Sequence, residues 1–244
     1  MRKFGLIGFP LSHSFSQKYF TEKFEKERIQ DCSYSNFSIK EIGELPAILS
    51  DPELRGLNVT IPHKRAVLDL LHRKDTVVEA IGACNCIKIE NGLLLGYNTD
   101  VTGFEGSLVK KLADHHLQAL VLGTGGASKA VEYVLEKRGI GYRMVTRQPR
   151  EGKDDLRYEE VDATLLHAFT LVINTTPLGM YPKVEECPPL PYEALGAQHY
   201  LFDLVYNPAE TMFLRKGRER GAVTENGYDM LAGQAEAAWD IWNA

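Results

Sequence analysis

The sequence predicts an α/β protein of two domains, and three observations carry that prediction. Short β-branched runs alternate with stretches of helical periodicity along nearly the whole chain, the pattern of parallel strands joined by crossover helices. A glycine-rich turn, VLGTGGASKA, separates one such run from one such helix. The length, 244 residues, accommodates two cores of ordinary size.

Taken in order, residues 3–8 form the first strand. The opening MRKFGLIGFPLSHS has the basic start and apolar stretch of a secretion signal, but the stretch is short, and Pro10 and His13 follow without a small-residue cleavage pattern. Residues 16–26 are helical, with Tyr19, Phe20 and Phe24 on one face. Residues 33–39 alternate as a strand and 41–49 as a short helix. In NVTIPHK a strand over 57–61 breaks at Pro62, which has no N–H for the ladder, and hands over to a helix reaching about His72.

Residues 83–90 and 93–97 are strands joined by Asn91-Gly92, a strong hairpin signal. A helix over 101–114 links the amino-terminal part to a central domain. Strands follow at 118–122, 142–146, 171–174 and 200–205, with a short one near Val223. Helices occupy the stretch after the glycine turn, 209–220 and 228–242. The loop-like segments are 148–155 and the proline-rich 177–191.

Composition narrows the class. The chain is 44% hydrophobic and 25% charged, ordinary for a folded soluble protein. A net charge of -5 speaks against nucleic acid as a partner, although local cations could hold one phosphate. No apolar run approaches the roughly 20 residues of a membrane helix. Cys32, Cys84, Cys86 and Cys187 include no C-x-x-C pair. They read as reduced, packed thiols of a cytoplasmic protein, with Cys84 and Cys86 on one strand face and no metal expected.

The glycine turn supplies Gly123, Gly125 and Gly126 between strand and helix. Glycine permits a sharp turn and lets a pyrophosphate approach the N–H groups at the helix start. The alternative is a tight turn without chemical meaning. The following strand ends Val145-Thr146-Arg147, with Arg150 nearby and no carboxylate before Glu151. An NAD site usually carries an acid at that point, whereas an arginine suits the 2′-phosphate of NADP.

Polar groups recur at successive strand ends: Ser12, Ser14 and Ser16, then Thr60 and Lys64, then Asn85, then Asn98 and Asp100. Each alone has a plain explanation, such as a helix cap for Ser14, Ser16 or Asp100. Together they suggest one pocket rich in hydroxyl and amide groups, suited to a small polyol acid.

GFPLSHSFS, NVTIPHK, GACNC, GYNTD, GTGGASK, INTTPLGM, DLVYNP and NGYDMLAGQA resemble, in order, the signature blocks of the shikimate dehydrogenase family. The resemblance implies NADPH-dependent reduction of 3-dehydroshikimate to shikimate, a step on the route to chorismate. It implies a substrate-binding domain over 1–100 plus 227–244 and a Rossmann-like NADP-binding domain over 101–226. Ser14 and Ser16 would bind the substrate carboxylate, and Thr60, Asn85 and Gln234 its hydroxyls. Lys64 and Asp100 would be the catalytic pair, and Tyr206 would line the pocket. Gly123, Gly125, Gly126, Ala127, Thr146 and Arg147 would hold the cofactor, with Gly227 and Met230 near its nicotinamide. Hydride addition to a ketone builds negative charge on its oxygen, and an ammonium there stabilises the charge and donates the proton.

The chain departs from the family pattern in places. SFSQ lacks the proline after the second serine, His63 replaces a common Phe, and Cys86 replaces a common Thr. Thr146-Arg147-Gln148 keeps only the arginine of its block. The competing expectations are a quinate/shikimate dehydrogenase using NAD, and a non-catalytic NADP-binding regulator of the same fold. The length leaves no room for a fused second enzyme, and a monomer or homodimer is expected.

Overall fold

A computed structural model describes residues 1–11 and 14–244; Ser12 and His13 lie outside the described residues. The chain divides into two compact units, Met1–Thr102 with Gln234–Ala244, and Gly103–Gly233.

The first unit is built on β1 (Arg2–Gly8), α1 (Phe15–Glu27), β2 (Cys32–Ser38), α2 (Leu45–Leu49), β3 (Leu54–Val59), α3 (His63–Ala66), β4 (Arg73–Lys74), α4 (Thr76–Ile81), β5 (Cys86–Glu90), β6 (Leu93–Tyr97) and the start of α5 (Thr99–Leu108). Its six strands run in the order β2-β1-β3-β5-β6-β4. The sheet is mixed rather than parallel as expected: β1 is parallel to β2 and β3, whereas β5 is antiparallel to both β3 and β6. The β5–β6 reversal comes from the hairpin, whose Asn91 and Gly92 both take positive φ, 51° and 78°, the geometry that an Asn-Gly pair adopts readily.

One face of this sheet presents Phe4, Leu6, Tyr34 and Cys86 to Phe20 and Phe24 of α1 and to Trp242. The other presents Ile7, Leu57, Val59 and Ile87 to Leu45, Val67 and Val78. The alternation places neighbours on opposite faces. Cys84 and Cys86 do not share a face, contrary to expectation, because β5 begins only at Cys86. Cys84 packs with the Ile7 group and Cys86 with the Phe4 group.

The second unit contains β7 (Gln118–Leu122), α6 (Ser128–Lys137), β8 (Gly141–Val145), α7 (Ala163–Ala168), β9 (Leu171–Asn174), β10 (Tyr200–Asp203), α8 (Met212–Glu219), β11 (Val223–Glu225) and the first turns of α9 (Tyr228–Asn243). All five strands are parallel, in the order β11-β10-β9-β7-β8. Every residue of β9 and β10 is buried, as in sheets covered on both faces. The order reverses beside β7, and that switch point is where ligands enter open α/β sheets.

Several boundaries differ from the sequence expectation. β3 stops at Val59, not Ile61: the Thr60 N–H makes the last bond to β1, at Ile7 O, 2.9 Å, and Thr60 O then accepts from His63 N–H at 2.9 Å in a turn that contains Pro62. The expected helix to His72 is one turn of α3 followed by a 3-10 segment, Val67–Leu70. α5 runs over Thr99–Leu108 rather than 101–114, and α8 starts at Met212, capped by Thr211. The resemblance-based division after residue 226 also differs from the observed one. Residues 227–233 belong to the second unit, where Gly227 N–H bonds Val205 O at 3.1 Å.

Candidate active site

In the first unit, topology gathers the polar residues at one edge of the sheet. β1 and β3 are parallel, so the segments that follow them, carrying Ser14, Ser16, Thr60 and Lys64, leave from the same edge. β5 is antiparallel to β3, so Asn85, just before it, lies at that edge too, and Asn85 O accepts from Val59 N–H at 2.8 Å. β6 reverses again and brings Asn98, Thr99 and Asp100 there, with Asn85 N–H bonding Tyr97 O at 3.1 Å.

Within this edge, Lys64 Nζ lies 2.6 Å from Asp100 Oδ2. The other carboxylate oxygen, Oδ1, accepts from Asn85 Nδ2 at 2.9 Å. Asn85 Oδ1 in turn accepts from the Thr99 N–H at 2.7 Å, which fixes the amide with its NH2 toward the acid. Asp100 sits in the first turn of α5, where the helix dipole favours a carboxylate. Lys64 and Asp100 keep 31% and 19% of their side-chain exposure, so the pair is shielded but reachable. Gln234 is buried and faces Thr99 Oγ1 at 3.5 Å.

Ser14 stands at the N-cap of α1 but makes no capping bond. Its hydroxyl and Asn98 Oδ1 are shut from solvent without a hydrogen-bond partner among the described residues. Ser16 is buried against Tyr34. His63, in the place of the usual Phe, is buried and its Nε2 lies 2.9 Å from Ile39 O. The ring therefore fills an apolar slot with its polar edge satisfied. Thr60 is half-buried in the turn after β3.

Sequence reasoning missed Thr99, which orients Asn85, and the buried pair Tyr34 and Asn58, whose phenol O–H donates to the amide Oδ1 at 2.8 Å. Thr99 stood inside the GYNTD block; Tyr34 gave no signal beyond alternation.

In the second unit, Gly123 has φ +98°, and a Cβ there would lie 2.8 Å from Thr176 Cγ2, so only glycine fits. Above Gly125 and Gly126 a Cβ would meet nothing within 4 Å. That open space, facing the start of the ten-residue α6, suits a diphosphate approaching backbone N–H groups. Ala127 is the N-cap residue of α6, without a side-chain capping bond. Thr146 is buried at the end of β8, and Arg147 beside it is exposed and makes no ion pair among the described residues. Arg150 is instead held by Asp155, with Nε and Nη2 each 2.8 Å from its carboxylate. The arginine keeps the Asp155 carboxyl below its ordinary range. Arg147 is thus the cation open to a phosphate.

Tyr206 is half-buried in the loop after β10, and Met230 half-buried in the first turns of α9. Gly227 is buried, and a Cβ on it would clash with Leu204 O, 2.1 Å away. No three His, Cys, Asp or Glu side chains among the described residues group as a metal site, and no helix there is long and apolar enough to cross a membrane.

Comparison with known proteins bears on this geometry. Residues 6–87 match the family described as shikimate dehydrogenase substrate binding domain. A shikimate dehydrogenase (NADP(+)) of Moorella thermoacetica is 38% identical, over 97% of this chain and 86% of that one. The shikimate 5-dehydrogenase of Thermus thermophilus, solved in complex with NADP(H) and shikimate, superposes with a TM-score of 0.86 at 30% identity, over 99% of this chain and 93% of that one. A quinate dehydrogenase from Corynebacterium glutamicum, in complex with NAD, gives 0.88 at 25% identity, over 99% of this chain and 93% of that one. With more than a third of residues identical to the Moorella protein along almost the full length, the chain belongs to the shikimate dehydrogenase family.

Proposed function

We propose that this chain is an NADP-dependent shikimate dehydrogenase that interconverts 3-dehydroshikimate and shikimate. The observation that carries the reading is the Lys64–Asp100 pair, 2.6 Å apart, with the second acid oxygen taken by Asn85. Asp100 holds the ammonium in one place and cannot itself swing toward the substrate. Lys64 gives a proton to the developing alkoxide during ketone reduction and removes it from the alcohol in the reverse direction. NADPH, when bound, supplies the hydride. Ser14 and Ser16 take the substrate carboxylate; Thr60, Asn85 and Gln234 take its hydroxyls. On the cofactor side, Gly123, Gly125, Gly126 and Ala127 admit the diphosphate, Thr146 and Arg147 the adenosine 2′-phosphate, and Gly227 and Met230 border the nicotinamide.

The likeness to an NAD-bound quinate dehydrogenase supports a second reading, in which the chain oxidises quinate with NAD. Arg147, exposed where an acid would serve NAD, favours the first. A regulator that binds NADP without catalysis has no use for the Lys64–Asp100 pair.

The test is kcat/KM for shikimate and for quinate, each with NADP and with NAD. We expect shikimate with NADP to exceed the other three combinations by tenfold or more, an effect of about 1.4 kcal/mol. A preference for quinate with NAD overturns the assignment in favour of the rival, and no turnover with any pair favours the regulator.

A further inference from the structure

Asp203, the last residue of β10, is a fully buried carboxylate that none of the steps above uses. No cation among the described residues pairs with it. Asp203 Oδ1 accepts from Asn174 Nδ2 at 2.9 Å and from the Val205 N–H at 3.0 Å. Oδ2 accepts from the Thr211 hydroxyl at 2.6 Å. Burial without a countercharge is costly and pushes the carboxyl up to about 6. Such a group persists where its geometry serves something other than stability.

An ionised carboxylate can only accept hydrogen bonds. It therefore forces the Asn174 amide to turn its NH2 inward, leaving Asn174 Oδ1 to accept from the Thr176 N–H at 3.0 Å and the Thr176 hydroxyl at 2.6 Å. Thr176 so fixed sets its methyl group over Gly123 of the glycine turn. The Thr211 hydroxyl, donating to Asp203, accepts from Leu214 N–H at 3.4 Å and caps α8. One carboxylate thereby ties together the segments following β9 and β10, the INTT and DLVYNP blocks, and seats the first against the turn after β7. These segments lie on the β9 side of the switch point, and Arg147 follows β8 on the other. A dinucleotide lying across that point puts its adenosine half on the β8 side and its other half on the β9 side.

We propose that Asp203 is a positioning residue for the nicotinamide half of the cofactor, acting through Asn174 and Thr176. This rests on the NADP reading above. In Asp203→Leu no acceptor faces the Asn174 NH2 and the Asn174 amide loses its single orientation, whereas in Asp203→Asn the Thr211 hydroxyl can turn to accept and the bond from Asn174 survives.

The experiment compares the dissociation constants of NADP+ and of adenosine 2′,5′-bisphosphate, which carries only the adenosine half. For Asp203→Leu we expect NADP+ to bind about tenfold more weakly and the bisphosphate to bind as to the parent, with kcat for shikimate reduced. Equal weakening of both nucleotides, or of neither, overturns the proposal. If Asp203→Leu fails to fold, Thr176→Val decides by the same two constants. It keeps the side-chain shape and removes the hydroxyl with its bond to Asn174 Oδ1 and the longer one, 3.3 Å, from Leu178 N–H, and the same selective weakening, about threefold, is expected. Failure of the parent to bind either nucleotide would instead overturn the cofactor reading itself.

Discussion

At Asp100 the two carboxylate oxygens face different partners, Lys64 on one side and Asn85 on the other, so the acid is held from both sides. Arg147 shows the opposite arrangement, a cation without a protein acid among the described residues, while Arg150 a few residues on is clamped by Asp155. Replacing Arg147 with Ala is expected to raise KM for NADP about 10- to 100-fold, as loss of charge-assisted phosphate bonds does, and to leave KM for NAD unchanged. Steady-state kinetics with both cofactors checks it. Asp203 gives a pH signature. Its folded-state pKa, about 6, lies above the ordinary 3.8. Its contribution to stability is therefore fully present below pH 4 and is lost as pH rises through about 6. Relative to Asp203→Asn, the parent should lose about 2 kcal/mol between pH 4 and pH 7, read by urea unfolding at both pH values.

Among the elements, the hairpin and the glycine turn were legible because both depend on residue types with special backbone freedom. Asn91, Gly92 and Gly123 do take positive φ. α4 and α7 were not legible: each has six residues, less than two turns, too few for an apolar period to emerge. Their caps were present in the sequence, since Asp75 accepts from Val78 N–H and Asp162 from Leu165 N–H. β4, with two residues, gives no alternation at all. Gly227 binds an element boundary to a loop, because its Cα hydrogen faces Leu204 O. Gly227→Ala should destabilise the protein by about 1–3 kcal/mol through overpacking, lowering Tm by several degrees in a thermal melt. An unchanged melt would mean that the loop after β10 yields freely.

At the scale of the whole molecule, the two-domain α/β architecture followed from alternation and length, but the mixed sheet of the first unit followed only from strand pairing. Lys64, Asn85 and Asp100 were legible as polar residues at strand ends. That they touch one another depends on β5 pairing antiparallel to β3, a contact between distant segments that no local pattern encodes; only the β5–β6 reversal was given locally, by Asn91-Gly92. Tyr34 and Asn58 belong to the same class, since strands β2 and β3 flank β1 and meet only through the sheet. Arg147, on which the proposed cofactor preference rests, was legible because it is one exposed side chain directly after β8.

The central claim is that the Lys64 ammonium, fixed by Asp100, moves the proton while hydride crosses to or from the substrate. Turnover of shikimate with NADP+ by Lys64→Ala, measured alongside NADP+ affinity, tests it most directly. We predict that kcat falls by about 10²- to 10⁴-fold with NADP+ affinity and Tm as in the parent; a kcat within a few-fold of the parent would contradict it.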